Sequence, residues 1–154
     1  MDRFAGQHST LRLLDYPNQI VPDDGLSAGK HLDASGLSLL WQREPGLQAE
    51  GPDGKFYDIP QVDNCISVHV GTVMTGLTDG AVPATPHRVQ YSPGPRRSMG
   101  FFLEPALSAP LTPAHVPISE TTIRDTYGYH VLKTHHSRPK YADHIPDPET
   151  AISD

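Results

Sequence analysis

Short apolar runs separated by turn-forming residues dominate the chain up to about residue 104. Residues 11–16 make a first run, with Leu11, Leu13 and Leu14, and Pro17 stops it. Residues 18–30, with Pro22, Asp23, Asp24 and Gly25, read as a loop. Residues 36–42 read as a mostly buried strand ending near Pro45 and Gly46. Residues 47–50 and 55–59 flank Pro52, Asp53 and Gly54, and Asp-Gly between two such runs predicts a hairpin. Residues 65–70 alternate apolar and polar, as a half-buried strand does, and residues 84–91 and 99–103 complete the set. Many short strands with frequent turns predict a barrel or a sandwich.

The last third reads differently. Residues 109–117 hold several prolines and form an extended connector. Thr122 and Asp125 have the spacing of a capping box, which predicts a helix over 122–136 with Ile123, Tyr127, Val131 and His130 toward one face. Pro139 limits that helix, and the polar stretch from 143 reads as a frayed tail.

Composition narrows the class. A chain of 154 residues is one domain by size, and 16 prolines with 13 glycines fit short strands better than long helices. A formal charge of −6 argues against a nucleic-acid or anionic-membrane binder, which would present a basic surface. The lone cysteine, Cys65, has no internal disulfide partner and fits a reducing cytoplasm; it reads as an inert strand residue. No apolar run approaches a membrane span, and the first residues lack the apolar segment of a signal peptide.

The candidate chemistry lies in His31, Asp33, His87, Arg96 and Ser98. Two imidazoles and one carboxylate make a three-sided ligand set that holds iron(II) on one face and leaves the other open. Alone, His31-x-Asp33 says little: with nine histidines, roughly one His-x-Asp arises by chance. Conjunction carries the reading. Alternate residues of an extended chain share a face, so His31 and Asp33 can point together, as can Arg96 and Ser98. His87, in a later strand, can face the pair if the sheet folds back on itself. Blander readings stand beside these. His31 and Asp33 can be a hydrogen-bonded loop pair, His87 a satisfied core histidine, Arg96 an ordinary surface cation and Tyr16 a half-buried strand aromatic. Arg97 should point to solvent. Trp41, Phe101 and Phe102 read as core. His130, His135 and His136 lack the spacing of a helical metal site and read as a solvated helix end.

In order along the chain, several segments resemble the iron(II)- and 2-oxoglutarate-dependent dioxygenases, in particular their isopenicillin-N-synthase-like branch. They are the run ending in Tyr16-Pro17, then His31-Leu32-Asp33 followed by the stretch Leu37 to Gln42, and Thr85-Pro86-His87-Arg88-Val89. Arg96-Arg97-Ser98 before Phe101-Phe102-Leu103 and the Thr126-Tyr127-Gly128-Tyr129 segment complete the resemblance. It implies an all-β double-stranded β-helix, or jelly roll, with a C-terminal helix. The implied division is a short extension over 1–10, a jelly-roll core over 11–118, a helix packing on that core over 119–142 and a flexible tail over 143–154.

The same resemblance implies Fe(2+) held by His31, Asp33 and His87. Arg96, Ser98 and Tyr16 would bind the carboxylate of 2-oxoglutarate, with dioxygen and a small organic substrate as the other reactants. In isopenicillin N synthase the matching Arg and Ser bind the substrate's carboxylate instead, so an oxidase needing no oxoglutarate is a second reading. A non-catalytic jelly-roll module is a third. Leu14 stands where many members have asparagine, and His69 replaces a family asparagine, with its role left open. The carboxylate Asp33 argues for hydroxylation, desaturation or ring closure over halogenation. The family's N-terminal α/β region has no counterpart before Leu11, so a homodimer or a partner chain is expected to cover apolar barrel surface.

Overall fold

A computed structural model of the chain describes residues 3–5, 8–17, 23–113, 115–137, 144–145 and 147–151. They group into two compact units, Ser9–Glu104 and a second made of Met1–His8 with Pro105–Asp154.

The first unit is built from eight antiparallel strands: β1 Thr10–Tyr16, β2 Leu26–His31, β3 Leu37–Gln42, β4 Leu47–Glu50, β5 Phe56–Asp58, β6 Ser67–Val70, β7 His87–Gln90 and β8 Arg96–Leu103. A short helix, α1 Thr72–Leu77, follows β6. The strands form two four-stranded sheets, ordered β1-β8-β3-β6 and β2-β7-β4-β5. Two four-stranded antiparallel sheets whose neighbours are distant in sequence are the jelly-roll arrangement, and the expected all-β double-stranded β-helix is what forms.

Local chemistry explains several elements. The hairpin β4–β5 pairs Glu50 with Phe56, and Gly54 takes the left-handed conformation (φ 75) that its turn requires. In β8 burial alternates strictly from Arg96 to Phe101, so Arg96, Ser98 and Gly100 face inward while Arg97, Met99 and Phe101 face out. Arg97 is exposed, as expected, and its side chain lies 3.5 Å from Asp15.

The outward face of the first sheet is apolar. Leu11, Phe101, Leu39 and Val68 make one cross-strand row, and Leu13, Met99 and Trp41 another. Leu13 is 73% exposed and Phe101 38%, and Trp41 is half-buried, which corrects the placing of Trp41 and Phe101 in the core. The reason is parity: odd positions of β8 point away from the facing sheet.

Three further expectations change. Residues 26–30 are not loop but part of β2, which ladders onto β7 through a bulged register. Consequently His31 ends a strand, and Asp33 begins the bend that leads to β3. Cys65 is exposed and precedes β6, rather than being buried in a strand. Helix α1 carried no recognised sequence signal; it buries Val73 and Leu77.

In the second unit, the predicted helix over 122–136 is two pieces. Residues Ile123–Asp125 form a 3-10 turn, closed by the expected capping box: the backbone N–H and hydroxyl of Thr122 both donate to Asp125 Oδ2, at 2.7 and 2.8 Å. Thr126 then adopts an extended backbone (φ −82, ψ 154) and becomes the N-cap of α2, Tyr127–His136, accepting from the Tyr129 N–H. An extended residue cannot continue a helix, so the second cap interrupts the first. Tyr127 is 1% exposed, with its N–H bonded to the Ala109 carbonyl, whereas Ile123 is 60% exposed and not part of the buried face. His135 and His136 close α2, the Nδ1 of His136 donating to the Ile145 carbonyl. Within the region expected to be a frayed tail, Pro148–Ala151 form a helical turn, α3, and residues 152–154 lie outside those described.

Candidate metal centre

Strands β2 and β7 place His31 directly opposite His87. The two rings are 4.3 Å apart between centroids. Asp33 reaches them from the bend after β2: His31 Nε2 is 3.8 Å from its Oδ1, and His87 Nε2 is 3.6 Å from its Oδ2. One ligand atom from each of the three residues lies within 4.8 Å of the others. Asp33 and His87 are buried, while the His31 side chain is 44% exposed, so the set opens on the His31 side.

The donor chemistry fits a cation. His31 Nδ1 donates to the Gly29 carbonyl at 2.8 Å, and His87 Nδ1 donates to the Thr85 carbonyl at 3.0 Å. A carbonyl only accepts, so each Nδ1 carries the proton and each Nε2 presents a lone pair to Asp33. Holding one imidazole nitrogen by a backbone oxygen is how metal-bound histidines are oriented. Asp33 Oδ2 is buried with no hydrogen-bond partner, a costly state for a carboxylate unless a cation meets it.

The bend carrying Asp33 is clamped. The carbonyls of Asp33 and Ser35 accept from the Thr72 and Val73 N–H groups at the start of α1, and Gly71 N–H donates to the Gly36 carbonyl. Ser35 and Ser38 join hydroxyl to hydroxyl at 2.8 Å. Gly71 has no room for a side chain, since a Cβ there would lie 2.0 Å from the Ser35 carbonyl oxygen.

Arg96 and Ser98 lie on the inward face of β8. Arg96 is 2% exposed, and its guanidinium donates to the Pro45 carbonyl, to Ser98 Oγ and to Gln42 Oε1, at 3.1, 3.2 and 3.3 Å. Its partner across the β1–β8 pair is Tyr16, whose ring lies 5.3 Å from the guanidinium carbon. No carboxylate forms an ion pair with Arg96 among the described residues. Burial pushes the arginine below its ordinary pKa, with Tyr16 and then Glu44 opposing that shift. Glu44 is itself engaged by the Arg43 side chain and the Arg97 N–H. A buried guanidinium with N–H groups left over has the chemistry to pair with an anion. Gly46 makes room for it: its φ is +128, and a Cβ there would come within 3.3 Å of Arg96 Nε.

Gln42 escaped the sequence reading. It is buried, donates to the Ile59 carbonyl at 2.8 Å and orients Arg96. Its signal was a polar residue at an inward strand position, opposite Ser98. His69, left open by the sequence, is 3% exposed and packs its ring edge-to-face against His87 at 4.9 Å. Burial, then the neighbouring His87, push its pKa down to about 4.

Fold and site together define a jelly-roll protein in which two histidines and one carboxylate converge closely enough to hold a metal ion, beside a buried arginine that no carboxylate pairs among the described residues. The chain belongs to the 2OG-Fe(II) oxygenase superfamily, whose family model matches residues 7–105. It is 35% identical over 135 residues to the 2-oxoglutarate-dependent dioxygenase frbJ of Dothideomycetidae sp. (strain 11243), covering 80% of this chain and 36% of that protein. It is 36% identical over 108 residues to the isopenicillin N synthase of Flavobacterium sp. (strain SC 12,154), covering 68% of this chain and 33% of that enzyme. Among solved structures, a full-length Neurospora crassa protein in complex with alpha-KG superposes with a TM-score of 0.69 at 26% identity, over 82% of this chain and 44% of that one. The chain thus spans about a third of the length of the curated relatives it matches.

Proposed function

We propose that this chain forms the catalytic core of an oxygenase that uses iron(II), dioxygen and 2-oxoglutarate to oxidise a small organic substrate. The observation that carries the reading is the set His31, Asp33 and His87, with both Nδ1 atoms engaged by carbonyls and Asp33 Oδ2 buried without a partner. In this reading the three residues hold the metal, and Arg96 and Ser98 hold the far carboxylate of 2-oxoglutarate, with Tyr16 stacked on the guanidinium and Gln42 orienting it. Bound iron(II) would supply the one-electron and dioxygen chemistry that side chains lack. The protein's part is position and dryness. His87 and Asp33 exclude water from the buried side of the centre, while exposed His31 leaves the approach for substrate.

Anaerobic titration tests this. Iron(II) followed by 2-oxoglutarate should give a weak visible charge-transfer band only when both are present, and aerobic turnover should release succinate. A protein that binds neither iron(II) nor 2-oxoglutarate overturns the reading. A second reading, an oxidase that uses Arg96 for its substrate's carboxylate, draws on the similarity to isopenicillin N synthase. Iron binding with no response to 2-oxoglutarate selects it.

The apolar outward rows of the β1-β8-β3-β6 sheet favour cover by a second copy or a partner chain, which sedimentation of the purified protein reads directly. Among the described residues no helix is long and apolar enough to cross a membrane. A cytoplasmic setting rests on the lone Cys65.

A further inference from the structure

Along β3 the inward-facing positions run polar, apolar, polar: Ser38, Leu40 and Gln42. Gln42, Ser98 and Arg96 occupy one end. Ser38 and His69, directly opposite each other across β3 and β6 and both buried, occupy the other. Leu40 pairs with Gly100 between these ends. A short dicarboxylate carrying a 2-oxo group has the same pattern: two polar ends joined by methylenes.

His69 is the unexplained member. It lies outside the group of three whose ligand atoms converge, so it is not a further member of that set. Yet its ring meets His87 edge-on, and its Nδ1 is buried with no hydrogen-bond partner. The hydroxyl of Ser38, the residue paired with His69 across the strands, is joined to the Ser35 hydroxyl. An apolar residue would fill this position without stranding a ring nitrogen, so the imidazole carries a cost here that a bound group would offset.

We propose that His69 contacts the bound 2-oxo acid at the end opposite Arg96, hydrogen-bonding its 2-oxo oxygen beside His87 and Asp33. Arg96 then recognises one carboxylate, and His69 distinguishes a 2-oxo dicarboxylate from a plain one. This inference rests on the oxygenase reading given above.

The test compares wild type with His69→Leu, His69→Phe and His69→Gln under anaerobic conditions, in two separate titrations. The first measures iron(II) affinity alone. The second measures 2-oxoglutarate affinity at saturating iron(II), with glutarate, which lacks the 2-oxo group, as the comparison ligand. His69→Leu should keep iron(II) affinity within about threefold and lose about tenfold in 2-oxoglutarate affinity, a single hydrogen bond's worth. Glutarate affinity should not change, and His69→Gln should recover most of the loss. If His69→Leu does not fold, the bulkier His69→Phe reads the same difference. Wild-type affinity for 2-oxoglutarate in the apolar variants overturns the inference, as does an equal loss for glutarate or for iron(II). Failure of the wild type to bind iron(II) or 2-oxoglutarate instead overturns the oxygenase reading beneath it.

Discussion

His31 and His87 stand opposite each other across the β2–β7 pair, and each donates its Nδ1 proton to a carbonyl two residues upstream, Gly29 and Thr85. The same local device thus orients both imidazoles, and it leaves both Nε2 lone pairs facing one carboxylate, Asp33.

Removing the carboxylate separates metal binding from stability. In metal-free protein Asp33 Oδ2 is buried without a partner, so Asp33→Asn should leave the metal-free melting temperature unchanged or raise it. The same change should weaken iron(II) binding by 100-fold or more, roughly the upper range for losing even an outer partner of a metal ligand. His87→Ala should match that affinity loss while lowering stability, because it also empties a buried site. Calorimetric titration and thermal denaturation, with and without metal, read both effects. Retention of full turnover in His87→Ala would sink the assignment.

Arg96 should govern the oxo acid and not the metal. Arg96→Leu should weaken 2-oxoglutarate binding by about 2 kcal/mol or more, as truncating one side of a buried charge pair does. Arg96→Lys should recover only part of this, because an ammonium cannot serve Pro45, Ser98 and Gln42 together and still offer a forked contact. Iron(II) affinity measured without oxo acid should stay at the wild-type value in both.

Gly71→Ala probes the clamp on Asp33. A Cβ 2.0 Å from the Ser35 carbonyl oxygen forces backbone to move, and the segment it pushes is the bend from Asp33 to Gly36. We expect a destabilisation of about 1–3 kcal/mol, in the range of overpacked sites, with a matching loss of metal affinity. Chemical denaturation and metal titration of the variant report the two. Unchanged metal affinity would show that the bend adapts without moving the carboxylate.

His130, on α2, has its pKa lowered by burial from the ordinary 6.5. The unfolded chain therefore takes up this proton near 6.5, and the folded chain only at lower pH. Stability from the neutral ring is complete above that value and falls as pH drops from 6.5 through the folded pKa. His130→Gln should flatten that part of the stability curve, measured by thermal denaturation between neutral and mildly acidic pH. An identical slope in the variant would contradict burial as the cause.

Much of the site was legible because its parts are local in sequence. A strand of period two puts Arg96 and Ser98 on one face whatever the rest of the chain does, and turn chemistry fixes the hairpin around Asp53 and Gly54. Thr122 and Asp125 announce a cap, and the cap forms. Legibility ended where two signals competed or where a partner strand decided. Thr126 offers a second cap that splits the expected helix. Residues 26–30, with glycine and lysine among them, look like loop until β7 pairs with them.

The sequence by itself determined residue identities and local parity: which side chains bear metal-binding chemistry, and which alternate positions share a face. Only the tertiary structure decided that His87 meets His31, that Gln42 supports Arg96, and that His69 stands with an unpartnered nitrogen beside the metal set. Those relationships join strands separated by tens of residues. Their register is set by the summed packing of two sheets, which no short window of sequence contains.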